Sequence, residues 1–183
     1  MNDQFTTLLS EMTFIERQYE FRNPDVVLYH PGHYTELNEQ IITLFHEEGF
    51  KTIMIPSVHN AFLNANEFIF HKEILVKSGI PQELVIPITG EANTANDVIK
   101  NAILLLSKTT ENKNILLAGK TFFMKRFLLI ATAFATNDMT IDVLPLQDNR
   151  NLTKDTWHLT DTGKKRVLNE YHMISQFLKQ NYL

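Results

Sequence analysis

At 183 residues, with 44% hydrophobic and 21% charged side chains, the chain has the size and balance of one globular domain. A formal charge of -4 gives no basic footprint for nucleic acid, and zero cysteines exclude disulfides, thiolate metal sites and a cysteine nucleophile. The opening Met1-Asn2-Asp3-Gln4-Phe5 lacks a basic and apolar leader, and no apolar run approaches the roughly 20 residues of a membrane span, so a cytoplasmic protein without a membrane partner is expected.

Phe5, Leu8, Leu9, Met12, Ile15 and Tyr19 recur at helical spacing and predict an amphipathic helix over 3–20, broken by Asn23-Pro24-Asp25. Residues 26–29 read as a first strand, ending in the loop His30-Pro31-Gly32-His33. Leu37, Ile41, Ile42, Leu44 and Phe45 share one helical face, and Gly49 stops that helix. A second strand over 52–55 is cut by Pro56, and a helix is predicted over 61–78 with Gly79-Ile80-Pro81 as its stop. Strand 84–88, helix 94–107, strand 114–118, helix 121–136 and strand 139–144 follow. A polar loop over 145–156 leads to a last helix over 161–180, with Val167, Leu168, Tyr171, Ile174, Phe177 and Leu178 inward.

Strands alternating with helices predict a three-layer Rossmann-like α/β domain. Its sheet is five-stranded and mostly parallel, in the order 3-2-1-4-5, with helices on both faces. In such a sheet ligands bind at the carboxyl ends of the strands, beside the point where strand order reverses. That brings the 30–33, 89–97 and 119–122 loops to one cleft.

Two of these junctions carry most of the chemistry. The first runs from Thr89 through Gly90, Glu91, Ala92, Asn93, Thr94 and Asn96 to Asp97. Thr94 and Asp97 have capping-box spacing, while a carboxylate such as Glu91 beside a helix start suits hydroxyl, ammonium or metal-bound water. The second begins Gly119-Lys120 and includes Arg126. Glycine admits a ligand to the backbone, free N–H groups at a helix start favour anions, and a guanidinium can fork onto phosphate or carboxylate. Arg126 lies in an apolar helix, so pairing with a structural acid is its other reading. His30, His33 and His59 offer three nitrogen donors, but local hydrogen bonding is the commoner use of loop histidines and no metal is assigned. A phosphate-binding P-loop, a dinucleotide fingerprint and a nucleophile elbow at Ser57 are all missing.

Several short motifs recur in an order known from one family. They are the strand at 25–29, Glu47-Glu48-Gly49-Phe50, Gly79-Ile80-Pro81, Glu91-Ala92-Asn93-Thr94, the 116–120 segment with Arg126, and a tail of Trp157-His158-Leu159-Thr160-Asp161-Thr162-Gly163 with Val167-Leu168-Asn169-Glu170. Together they resemble the YdcF-like family of Rossmann-like domains, which includes SanA and ElyC proteins. Two departures stand out: Asn96-Asp97 replaces the usual Glu-Asn, and Phe123 replaces a histidine three residues before the arginine, so no catalytic role is carried onto that position.

The resemblance implies a ligand of nucleotide or S-adenosylmethionine type. Lys120 and Arg126 are expected at its anionic end, Glu91 and Asn93 at its hydroxyl or amino groups, and His30, Gly32, His33, Thr94, Asp97 and Gly119 around the cleft. Two alternatives stay open. One is a hydrolase or transferase for phosphorylated metabolites, using a divalent ion at Glu91, Asp97 or the histidines. The other is a ligand-sensing module without catalysis.

Overall fold

The computed structural model describes residues 3–108 and 113–182. In chain order the elements are α1 (Asp3–Thr13), β1 (Val26–His30), α2 (Leu37–Glu47), β2 (Thr52–Pro56), β3 (His59–Asn60), β4 (Ala65–Asn66), α3 (Glu67–Lys77), β5 (Val85–Ile88), α4 (Ala95–Leu106), β6 (Lys113–Lys120), α5 (Met124–Phe134), β7 (Met139–Leu146) and α6 (Asp161–Tyr182). Five strands form one parallel sheet in the order β5-β2-β1-β6-β7, which is 3-2-1-4-5 when those strands alone are counted. Among the described residues no helix is long and apolar enough to cross a membrane.

The central strands are apolar at successive positions because both sheet faces are covered. Val26, Leu28, Ile115 and Leu117 face a core built with Val98, Ile99, Phe127 and Ile130 of α4 and α5. Val27, Tyr29, Leu116 and Ala118 point the other way, onto Leu37, Ile41 and Leu75 of α2 and α3. Alternation of side chains along a strand thus feeds two cores at once.

Three boundaries differ from the sequence expectation. The first helix ends at Thr13, not near residue 20. Beyond it the chain is captured by tertiary bonds: Arg17 forks onto Glu48 with two contacts of 2.6 Å, and the Gln18 and Glu20 N–H groups donate to the Asp142 carboxylate at 3.0 and 3.3 Å. Those amides cannot also serve a helix. The predicted helix over 61–78 begins only at Glu67, because residues 59–66 form a small antiparallel hairpin. Asn64 turns it with φ 49°, and the Asn66 side chain caps α3 by accepting from the Ile69 N–H. Finally, β6 continues through Gly119 to Lys120, which pair with Pro145 and Leu146 of a longer β7.

The tail motif is a structural clasp. Trp157 is buried, and its indole N–H donates to Ser10 Oγ at 2.7 Å, which in turn donates to the Lys154 carbonyl at 2.9 Å. Phe14, Phe122, Leu152 and Val167 close around it. A β-carbon at Gly163 would lie 2.0 Å from the Trp157 carbonyl oxygen, so α6 can start here only on glycine. Gly163→Ala is therefore expected to cost about 1–3 kcal/mol through overpacking. Trp157 is the single tryptophan, so urea melts followed by its fluorescence check this directly, and an unshifted midpoint would show that the close approach is relaxed at no cost.

Candidate functional site

The site is organised by the end of β1. His30 is its last residue and pairs in register with Gly119 of β6, so the two strands release their chains side by side. Gly32 then adopts φ 64°, a left-handed conformation natural to glycine. Its carbonyl accepts from His71 Nε2 at 2.8 Å, and Asn38 lies 3.1 Å from the other ring nitrogen while also accepting from the Tyr29 hydroxyl. A buried polar relay thus fixes the loop from below. Burial lowers the His71 pKa, with the hydrogen bond to the Gly32 carbonyl pulling the other way.

Lys120 comes up beside this loop. A β-carbon at position 32 would lie 3.1 Å from its Nζ, so the glycine also leaves the ammonium its space. Only 7% of Lys120 is exposed, and the rings of Tyr34 and Phe123 lie 4.8 and 4.7 Å from Nζ. Among the described residues no carboxylate stands within ion-pair distance of it. Burial, and then repulsion from Arg150, pull its pKa down to about 8, against weaker opposition from Asp148 and Glu67. Arg150 itself is paired with Asp148 and lies 4.4 Å over the Tyr34 ring. His33 stacks between Tyr34 and the exposed Phe62 at the hairpin tip, with ring centroids 4.1 and 4.6 Å away.

Next to this basic edge is a cavity of about 250 Å³, lined by His30, His59, Glu67, Asn93 and Thr94, with Val58 and Val98 as apolar wall. The His30 ring packs against Phe127 and Phe123, with centroids 5.3 and 6.4 Å away. Burial first and Lys120 second lower its pKa to about 3, so it is a neutral imidazole at ordinary pH. Glu67 is 5% exposed, and its Oε1 accepts from Asn60 Nδ2 at 2.6 Å. Burial raises its pKa, with that hydrogen bond pulling the other way.

The structure gathers His30, Asn93 and Thr94 in the cavity and Gly32, His33 and Lys120 at its basic edge. It places four expected residues in other work. Glu91 is exposed and does not line the cavity; its backbone carbonyl accepts from Asn101. Asp97 is spent on the capping box, accepting from the Thr94 and Asn93 N–H groups at 2.9 and 3.1 Å while Thr94 Oγ1 accepts in return. Gly119 is buried inside β6, where a β-carbon would meet Met124 at 2.9 Å and the His30 carbonyl at 3.3 Å. Arg126 is held by Glu170, at 2.6 and 3.2 Å, and by Asn96. Nor does a helix open at Gly119-Lys120: a short 3-10 turn over Thr121–Phe123 precedes α5.

Sequence reasoning missed Glu67, Tyr34 and Arg150. Asn60, Asn64 and Asn66 were the available signal for Glu67, since closely spaced asparagines mark turns and caps rather than helix interior. Arg150 lay in a loop read only as polar. Among the described residues no group of three or more histidine, aspartate or glutamate side chains is arranged to hold a metal ion. Compared with family models, curated proteins and solved structures, the chain matches none.

Proposed function

We propose that this protein binds a small metabolite with an anionic group, of nucleotide or S-adenosylmethionine type, at the carboxyl ends of β1, β2, β5 and β6. One observation carries the reading: Lys120 is a buried ammonium with no carboxylate at ion-pair distance among the described residues, beside the strand-order reversal where ligands of this fold bind. A buried charge needs a counter-charge, and a phosphate or carboxylate supplies one. Arg150 widens the basic edge, while Asn93 and His59 line the cavity that would take the rest of the molecule. The YdcF-like resemblance implies the same ligand class.

The pH dependence follows from the lysine. Its pKa is about 8 in the folded chain against 10.5 for an ordinary lysine, so the unfolded chain binds the proton more readily between those values. The buried ammonium costs stability at neutral pH, and the cost disappears as pH rises through that window. A bound anion offsets it by favouring the protonated form. Affinity for adenosine monophosphate or S-adenosylmethionine, measured by calorimetry, is expected to fall roughly tenfold per pH unit above 8. Lys120→Met should weaken binding about 10- to 150-fold, the worth of a charge-assisted hydrogen bond. Unchanged affinity in a folded Lys120→Met variant, or a flat profile from neutral to alkaline pH, would overturn the reading.

A further inference from the structure

Five buried side-chain polar atoms among the described residues lack a hydrogen-bond partner, and two of them, Glu67 Oε2 and His30 Nδ1, belong to residues lining the same cavity. Their positions are built rather than incidental. Glu67 is held by its own N–H, which donates to the Val58 carbonyl at 2.9 Å, and by Asn66, which caps the helix it opens and donates to Ser57 Oγ. With Oε1 taken by Asn60, the second oxygen completes no hydrogen bond, although the Gly32 N–H and the Lys120 ammonium both act on this carboxylate. An ionised carboxylate only accepts, so what it lacks is a donor group.

We propose that this cavity receives the hydroxyl-bearing sugar of the ligand, with Glu67 accepting from its hydroxyls, so that the ligand is a sugar phosphate or nucleotide rather than a bare anion. This rests on Lys120 as the anion site. Size agrees: about 250 Å³ is below the roughly 300–1,000 Å³ of pockets for drug-sized ligands and suits one ring, with the anion outside it at the basic edge. The field agrees as well. Lys120 and Arg126 both work against a proton on His30, so a further cation is disfavoured on that side of the cavity, while hydroxyls meet no such penalty. Asn93 and His59 add further polar groups of the kind that a polyol uses.

The test is calorimetric titration of the full chain with ribose 5-phosphate, n-pentyl phosphate, phosphoethanolamine and inorganic phosphate. In the wild type, ribose 5-phosphate is expected to bind at least tenfold tighter than the other three. Glu67→Gln keeps the shape and an oxygen for Asn60; it should erase that advantage, read as the ratio of ribose 5-phosphate to n-pentyl phosphate affinity within each protein, with a melting curve confirming the fold. Equal affinity for ribose 5-phosphate and n-pentyl phosphate overturns the sugar pocket without recourse to any variant. So does an unchanged advantage in Glu67→Gln, and tighter binding of phosphoethanolamine would assign the cavity to an amine instead. Failure of the anion site reads differently: Lys120→Met would then bind inorganic phosphate as well as the wild type, while the Glu67-dependent preference for ribose 5-phosphate persisted. No binding of any compound at millimolar concentration overturns both.

Discussion

Glu170→Ala is expected to remove about 3–5 kcal/mol of stability, a large share of what holds a domain of this size together. The substitution strands the Arg126 guanidinium in a site where its side chain is 4% exposed and the lost carboxylate was 1% exposed. Arg126→Ala should cost a similar amount by stranding the acid. Burial raises the Glu170 pKa more than Arg126 lowers it, the sign expected where desolvation outweighs attraction. Replacing both partners with methionine should therefore recover most of the loss. Urea melts of Glu170→Met, Arg126→Met and the double methionine variant form the cycle. A double variant as unstable as the sum of the singles would show no coupling, each side chain then contributing independently of its partner. Arg126 also lies 5.1 Å from the Phe123 ring, which touches His30 and Lys120, so the pair supports the wall behind the site.

Acid is expected to unfold the wild type partly through His30. In the folded chain its pKa is about 3, in the unfolded chain about 6.5, so between those values the unfolded form takes up the proton. Stability is therefore full above pH 6.5 and falls with decreasing pH, by up to about 1.4 kcal/mol per pH unit from this residue, totalling about 4 kcal/mol near pH 3. His30→Gln has no such titration. The difference in unfolding free energy between variant and wild type, followed from pH 7 to pH 3, isolates this contribution from carboxylates common to both. His71, also buried and shifted down, adds acid sensitivity of the same sign and remains in both proteins. A constant difference across that range would mean that His30 is protonated at no cost in the folded state.

The sheet was legible because its signal is local: apolar runs of strand length separated by helical periodicity, with glycine or proline at the junctions. The hairpin over 59–66 was not, because Phe62, Leu63, Phe68 and Phe70 continue an apolar pattern across it that mimics one long helix. Lys120 and Gly32 were readable from their place after strands. Glu91 stood near an expected helix start, whereas Glu67 fell inside the helix expected over 61–78 and opens α3 only in the structure. Only the direction in which the chain leaves β2 and β5 puts one in the cavity and the other in solvent. The partner of Arg126 had left a trace: Glu170 sits on the inward stripe of α6 with Val167, Ile174 and Phe177, a charged residue at an apolar position. That stripe and the lone arginine of α5 are 44 residues apart, too far for spacing alone to join them.

The sheet also sets a schedule for the emerging chain. Strand β1 gains β2 early, but its other neighbour is β6, and the two are bridged where Asn114 meets Asp25 across a sequence separation of 89. Until the ribosome has delivered that length, one flank of the central strand has no partner and offers an open edge of the kind that invites association between chains. The Ser10 to Trp157 bond spans 147 positions and is necessarily made later still. Helix α1 thus acquires its bond to Trp157 later than its neighbours acquire their strand pairings, and a truncation before the tryptophan leaves it without that anchor.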